Sequence, residues 1–480
     1  MNVANLQLQG LLLAVASINQ MLVKREISAR ELAQQFCDRL ESLGPKLNAL
    51  AASTRKTALE NAKNVDDEIK RKRFRGPLQG IPFGAKDLLA YPGYPTTWGA
   101  KPFATQTFDY KAAAIERLEA RGALLVGKLA MVELAGGGGY DYPSASYFGP
   151  GLNPWSLSHW AGGSSSGSGA AVAAGLVPFA IGSETWGSII GPSALCAVTG
   201  LRPTYGYVSR YGAMPLSWTM DKIGPMCRSA EDCGLVLQVM SGGDSRDLAS
   251  AGKSFYYGPE YVQQISKFKV GYSPIDFEGW AAEDMRPAYR EALDVLRRLG
   301  VQFVEIEFPR MPYSTVAGTI IDAEAASVFE PLIKSGQVDE LADAAQIAGL
   351  KAAQEIKSND YLRAMRIRTK IQQELTPLWR NLDAIVTPST LRPANPIDQP
   401  LRGSAASRGP RPEKRGLNDL GAISNMLGWP ALSVPCGFAG NLPVGLQFVT
   451  RPFNENRILA LGVAYQRETD WHRRRPPFGA

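Results

Sequence analysis

Histidine is almost missing from this sequence: of 480 residues, only His159 and His472 carry an imidazole. That shortage removes much of the common nucleophile and metal chemistry. A Ser-His-Asp hydrolase needs a histidine beside its serine, and His472 sits in the charged tail Asp470-Trp471-His472-Arg473, which leaves His159 as the better partner. Metal sites of the usual His/Cys kind fail for the same reason, so no metal is expected. Cysteine is scarce as well. Cys37, Cys196, Cys227, Cys233 and Cys436 are odd in number, scattered and without metal-ligand spacing, which fits a reduced, cytoplasmic chain. Long apolar runs are lacking too. The stretch Leu11-Leu12-Leu13-Ala14-Val15-Ala16 has no basic residue before it and is too short to span a bilayer. It reads as a buried helix face, and neither export nor membrane attachment is expected. Basic charge is in modest excess, at a net +7. The runs Lys70-Arg71-Lys72-Arg73 and Arg473-Arg474-Arg475 have no interleaved aromatics and no reading motif, so they are taken as solvated surface and no nucleic-acid partner is expected.

What remains is a composition ordinary for a globular protein, 45% hydrophobic with 48 glycines and 33 prolines. Residues 5–45 read as two helices, the second opened by the capping box Ser28-Ala29-Arg30-Glu31. A charged helix follows near 55–73. Gly80-Ile81-Pro82-Phe83-Gly84-Ala85-Lys86-Asp87 reads as a buried strand ending in charges. Helices at 112–121 and 230–240 alternate with strands at 124–127, 177–181, 200–201 and 268–272. Residues 136–169 form a long irregular stretch, 281–299 and 322–380 are largely helical, and 384–388 and 444–449 are strands. The segment 392–415, rich in Pro, Arg, Gly and Ser, reads as a mobile surface loop. Strand–helix alternation without repeats argues for an α/β fold with a large twisted sheet covered by helices on both faces.

The stretch Ala161-Gly162-Gly163-Ser164-Ser165-Ser166-Gly167-Ser168-Gly169-Ala170 admits several readings. Gly163-Ser164-Ser165-Ser166-Gly167 spells the nucleophile-elbow pattern, but an elbow needs a strand directly before it and an irregular loop leads in here. Neither the phosphate-loop lysine nor a dinucleotide G-x-G-x-x-G is present. A flexible linker is the plain compositional reading, and the small-residue apolar helix that follows counts against it.

Three pieces together resemble the amidase signature family: Gly80–Asp87, then Gly162-Gly163-Ser164-Ser165-Ser166-Gly167, then Gly182-Ser183-Glu184-Thr185-Trp186-Gly187-Ser188-Ile189 with Pro192. The likeness continues through Gly200-Leu201-Arg202-Pro203-Thr204-Tyr205-Gly206, Asp221-Lys222-Ile223-Gly224-Pro225, Gly428-Trp429-Pro430-Ala431 and Leu442-Pro443-Val444-Gly445-Leu446-Gln447. The resemblance implies one mixed-sheet domain over 1–480, with N-terminal helices to 75, a signature core at 80–235 and a mainly helical insertion at 275–380. It also implies a Ser–cis-Ser–Lys triad, which needs no histidine. Lys86 then matches the base, Ser164 the bridging serine after a cis peptide, and Ser188 the nucleophile. The backbone N–H groups of Thr185, Trp186, Gly187 and Ser188 match the oxyanion hole. Met131, Gly136, Gly137, Gly138 and Tyr140 fall where the family contacts substrate, and Trp218 is a further wall candidate.

Two positions depart from that pattern. Trp186 stands where the family has a small residue, so it either shapes the acyl pocket or packs in the interior. Ile190 stands where an arginine commonly pairs with the acid matched by Glu184, so Glu184 needs another partner. The implied activity is a stand-alone hydrolase of a small-molecule amide, extending to anilides, esters or carbamates, acting as a monomer or homodimer without a cofactor. The rival is the catalytic component of a tRNA-dependent amidotransferase, in which the same triad releases ammonia from glutamine or asparagine.

Overall fold

The computed structural model describes residues 14–258, 265–401 and 414–478. Thirteen strands are present among them: β1 (Leu50–Ser53), β2 (Pro82–Lys86), β3 (Leu124–Leu129), β4 (Leu152–Asn153), β5 (Ser156–Trp160), β6 (Phe179–Glu184), β7 (Thr199–Arg202), β8 (Lys222–Cys227), β9 (Lys269–Tyr272), β10 (Gln302–Glu305), β11 (Ala384–Pro388), β12 (Ala431–Ala439) and β13 (Leu442–Val449). Eleven of them form one mixed sheet in the order β1-β3-β2-β6-β8-β7-β12-β13-β11-β9-β10, and β4 and β5 pair separately. β2 lies parallel to both β3 and β6, while β8 runs antiparallel to β6.

Helices cover both faces, and side-chain alternation along the strands shows why. Phe179 and Ile181 of β6 join the cluster that contains Val236 and Leu237 of the helix Ala230–Met240. Ala180, between them, packs with Ala170, Ala171 and Val172 of the helix Ser166–Ala173 on the opposite face. A strand buried on both faces reads as a continuous apolar run, which is how β2 and β6 look in the sequence. Phe83 and Phe179 stack across the β2–β6 pair with ring centroids 5.3 Å apart. A third cluster joins the helices Tyr313–Val328 and Ser358–Leu375 to the short helix Leu420–Met426.

Local signals and tertiary structure agree at several points. Ser28 and Glu31 close the capping box at the start of the helix Ala29–Leu43, and the helix Ala230–Met240 and the strand β11 fall where the pattern places them. The stretch 136–169 is less irregular than expected, because it holds the β4–β5 hairpin. In the main sheet β1, β8, β10 and β12 have no counterpart among the strands expected from the sequence. β12 carries Pro435 and Gly437, residues that argue against a central strand; the ladder with β13 absorbs them in a register shift between these two positions.

Of the apolar stretch 11–16, residues 11–13 lie outside the described residues, and so do residues 402–413 of the expected loop 392–415. The described part of that loop is anchored rather than loose. Trp160 N–H donates to the Asn395 carbonyl at 2.8 Å, and Ile397 N–H to Ser158 at 3.0 Å. All five cysteines are buried as free thiols. No described helix is long and apolar enough to cross a membrane.

Candidate active site

The chemistry gathers at the strand ends in the interior of the sheet, where parallel β2 and β6 end and antiparallel β8 begins. Lys86 is the last residue of β2, Glu184 the last of β6, and Lys222, the first of β8, lies opposite Glu184 in the ladder. Open α/β sheets commonly place their sites at such carboxyl ends.

Lys86 is fully buried. Its Nζ donates to Ser164 Oγ at 2.6 Å, to Ser183 Oγ at 2.9 Å and to the Ser183 carbonyl at 3.5 Å. Burial pulls its pKa down from 10.5 to about 7, against the opposing pull of the charges on Asp221 and Glu184. An amine in this setting exists substantially as the free base at neutral pH. The Gly163–Ser164 peptide bond is cis, as the resemblance implies. Ser164 stands just before the helix Ser166–Ala173, whose small side chains let β2, β3 and β6 approach closely. Ser165 N–H donates to the Ser188 carbonyl at 3.3 Å, so the two serine-bearing segments abut. Structure therefore brings Lys86 and Ser164 into direct contact and sets the Ser188 backbone beside them. The Ser188 hydroxyl makes no hydrogen bond among the described residues, and the residue keeps 8% of its surface exposed.

The turn 185–188 presents its backbone to that space. The N–H groups of Trp186, Gly187 and Ser188 have no backbone acceptor among the described residues. Gly187 has φ +86 with nothing near a would-be Cβ, so the left-handed turn rather than crowding requires glycine there. Such unpaired donors at a turn suit a developing oxyanion. Glu184 holds the far side of the turn, accepting from the N–H groups of Ile189 at 2.8 Å and Ile190 at 3.0 Å.

The partner that Glu184 needs in place of residue 190 is Arg202. Its Nη1 lies 2.6 Å from Glu184 Oε1, with both side chains buried. Burial alone would raise the Glu184 carboxyl; Arg202, the Ile190 N–H and Lys222 together hold it at about 2. Arg202 also donates to the Trp429 carbonyl at 2.8 and 3.2 Å. Asp221 steadies the same turn by accepting from Thr185 Oγ1 at 2.5 Å and from the N–H groups of Leu216 and Ser217. Buried Lys222 donates to the carbonyls of Met220, Thr185 and Asn425. Arg202, Asp221 and Lys222 lie within the motifs that carry the family resemblance, but motif position alone assigns them no role. A charged residue inside an apolar strand such as β7 was the available signal, because a buried charge demands a partner.

The expected pocket walls divide. Trp186 is 41% exposed, which removes the interior-packing reading, and its indole Nε1 stands 3.2 Å from where a Cβ on Gly421 would be. Trp218 is equally exposed and helps line a cavity of about 230 Å³ with Leu88, Met214, Leu216, Ser183 and Thr185. Of the charged groups in that lining, Arg210 pairs with Asp247 at 2.8 Å, Arg246 pairs with Glu116 and Asp244, and Asp221 and Lys222 are held by the backbone bonds described above. Met131 is fully buried in the main core. Gly137 packs against Leu216 and Phe329, and Gly138 against Gln346 and Leu350, so these two glycines let helical segments dock. Gly136 lies against the Tyr140 ring. No group of three or more potential metal ligands occurs among the described residues.

With this geometry in view, comparison with known proteins is direct. The family model described as Amidase matches residues 31–459. The A subunit of glutamyl-tRNA(Gln) amidotransferase from Chloroflexus aggregans is 35% identical over 491 residues, covering 97% of this chain and 98% of that one. Among solved structures, a chain of a vestigial protein complex tied to the origins of an s-triazine catabolic enzyme superposes with TM-score 0.85 at 27% identity, covering 95% of this chain and 98% of that one. The peptide amidase of Stenotrophomonas maltophilia superposes with TM-score 0.81 at 29% identity, covering 97% and 99%.

Proposed function

The chain belongs to the amidase family, enzymes acting on C–N amide bonds, and from that premise we propose that Lys86, Ser164 and Ser188 form its proton relay. The observation that carries the reading is the 2.6 Å contact between Ser164 Oγ and a buried lysine whose pKa is brought down to about 7. Neutral Lys86 takes the Ser164 proton as Ser164 takes that of Ser188. Ser188 Oγ then attacks the substrate carbonyl, and the N–H groups of residues 185–188 receive the oxyanion. Collapse of the tetrahedral species breaks the C–N bond while Ser164 returns a proton to the departing nitrogen, which is otherwise too basic to leave. Water hydrolyses the Ser188 ester by the same relay in reverse. Residues 1–480 act together as one catalytic unit in this reading.

Two substrate readings stand beside each other. The names of whole-length relatives favour the catalytic component of an amidotransferase over a stand-alone enzyme, with glutamine as ammonia source and partner subunits required. The site itself favours a stand-alone hydrolase of uncharged amides, with anilides, esters and carbamates as further carbonyl substrates. Exposed Trp186 and Trp218 offer apolar surface, and Arg210 and Arg246 of the adjoining cavity are already engaged by Asp247, Glu116 and Asp244, so the carboxylate of a zwitterionic amino acid would compete with those ion pairs. We adopt the reading that the site supports. The deciding experiment offers the purified chain glutamine, neutral primary amides, anilides and carbamates. Turnover of neutral substrates by the chain alone supports the stand-alone enzyme; ammonia from glutamine alone, appearing only with partner subunits, replaces it with the amidotransferase reading.

A further inference from the structure

We propose that the Tyr140 hydroxyl is a hydrogen-bond donor to the leaving-group side of the substrate, selecting amides whose departing amine carries an acceptor close to the scissile nitrogen. The role rests on the relay proposed above. Tyr140 lies flat in a slot made by two backbones. A Cβ on Gly136 would meet its ring at 2.7 Å, and a Cβ on Gly163 would stand 3.1 Å from its phenol oxygen. The edge of the ring meets Trp160 with centroids 6.2 Å apart and planes at 74°.

The chain on either side is tied down. Gly139 N–H donates to Gly136, and the N–H groups of Asp141 and Tyr142 both reach Asp343 Oδ2 at 3.0 Å. The same segment is joined to the relay directly, because Val132 N–H donates to the Ser164 carbonyl at 3.1 Å. The ring is thus fixed and its oxygen set beside the residue that precedes Ser164. That hydroxyl has no protein hydrogen-bond partner among the described residues, and it is not sealed away from solvent, so it is open to an incoming acceptor. Desolvation, and then the charge on Asp343, raises the phenol pKa well above its ordinary value, so the group stays an O–H donor through the working pH range. Ser164 hands its proton to the departing nitrogen, so a donor beside Gly163 faces atoms attached to that nitrogen rather than the acyl chain. An ether oxygen, carbonyl or ring nitrogen two or three bonds away would accept from it.

The test compares Tyr140→Phe with the unaltered enzyme on a matched pair of amides sharing one acyl group, an N-(2-methoxyethyl) amide and its N-butyl isostere. Tyr140→Phe keeps the ring in its slot. The expected result is a drop of about tenfold in kcat/KM for the methoxyethyl amide, little change for the butyl amide, and an unchanged deacylation rate, since the leaving group has gone by then. An equal fall for both amides, or for neither, overturns the assignment. A fluorophosphonate label on Ser188 separates the two levels. If Tyr140→Phe labels at the normal rate but discriminates no differently, Tyr140 has no such role and the relay stands. If the unaltered enzyme does not label at Ser188, the relay falls and the Tyr140 role with it.

Discussion

The titration of Lys86 offers a quantitative test of the relay. With a pKa of about 7, its neutral fraction is ~0.09 at pH 6, ~0.5 at pH 7 and ~0.9 at pH 8. A lysine at the ordinary 10.5 would be neutral in only ~3 × 10⁻⁴ of molecules at pH 7, so the burial of this side chain supplies roughly a thousandfold more base. The acylation rate should therefore climb about tenfold per pH unit below the midpoint and level off above pH 8. Rapid release of a chromogenic amine from an anilide, followed in single turnover at constant ionic strength, reads that step. Ser183→Ala removes one of the acceptors that Lys86 uses at 2.9 Å. The ammonium form has three N–H groups to satisfy and loses more than the free amine, so the midpoint should move to lower pH, by about half to one unit. An acylation rate that is flat from about pH 6 to about pH 10, or one that rises only near pH 10, would refute the neutral-lysine role.

Other perturbations follow from the same buried charges. The folded-state pKa of Lys86 lies below its unfolded value, so the unfolded chain binds more protons between about pH 7 and about pH 10.5, and stability rises with pH across that window. Lys86→Met should accordingly abolish activity yet stabilise the fold in denaturant titrations, with the gain about 3 kcal/mol larger at pH 6.5 than at pH 9.5. Arg202→Met strands the Glu184 carboxylate in the interior and should cost about 3–5 kcal/mol by the same measurement, part of it recovered by adding Glu184→Gln. Trp186→Gly should raise kcat/KM for branched acyl groups relative to acetyl by about tenfold or more, read from a matched anilide series.

The candidate triad was legible through the likeness of Gly80–Asp87, Gly162–Gly167 and Gly182–Ile189 to the amidase signature. Local chemistry by itself offered a histidine-poor chain, a buried strand ending in Lys86-Asp87 and a serine-rich turn, which exclude mechanisms but do not assign one. What stayed hidden depends on which residues the fold brings together. Arg202 meets Glu184 across 18 positions of sequence, and no local pattern says which buried cation answers which buried acid. Met131 sits within a segment expected at the substrate, but its side chain turns into the core; motif position names a segment and not the direction in which each side chain points. Tyr140 reaches Gly163 only because the glycine-rich turn and the Asp343 cradle fold that segment back. In the sheet, β12 escaped notice because Pro435 and Gly437 argue against a strand, a conflict resolved by pairing with β13 that local propensity cannot see.

Intact-mass analysis after exposure to a fluorophosphonate tests the central claim most directly. The account predicts one adduct per chain, mapped by peptide analysis to Ser188, absent in Ser188→Ala and greatly slowed in Lys86→Met and Ser164→Ala. A chain that takes no adduct, or one that keeps its adduct in Ser188→Ala, would contradict it.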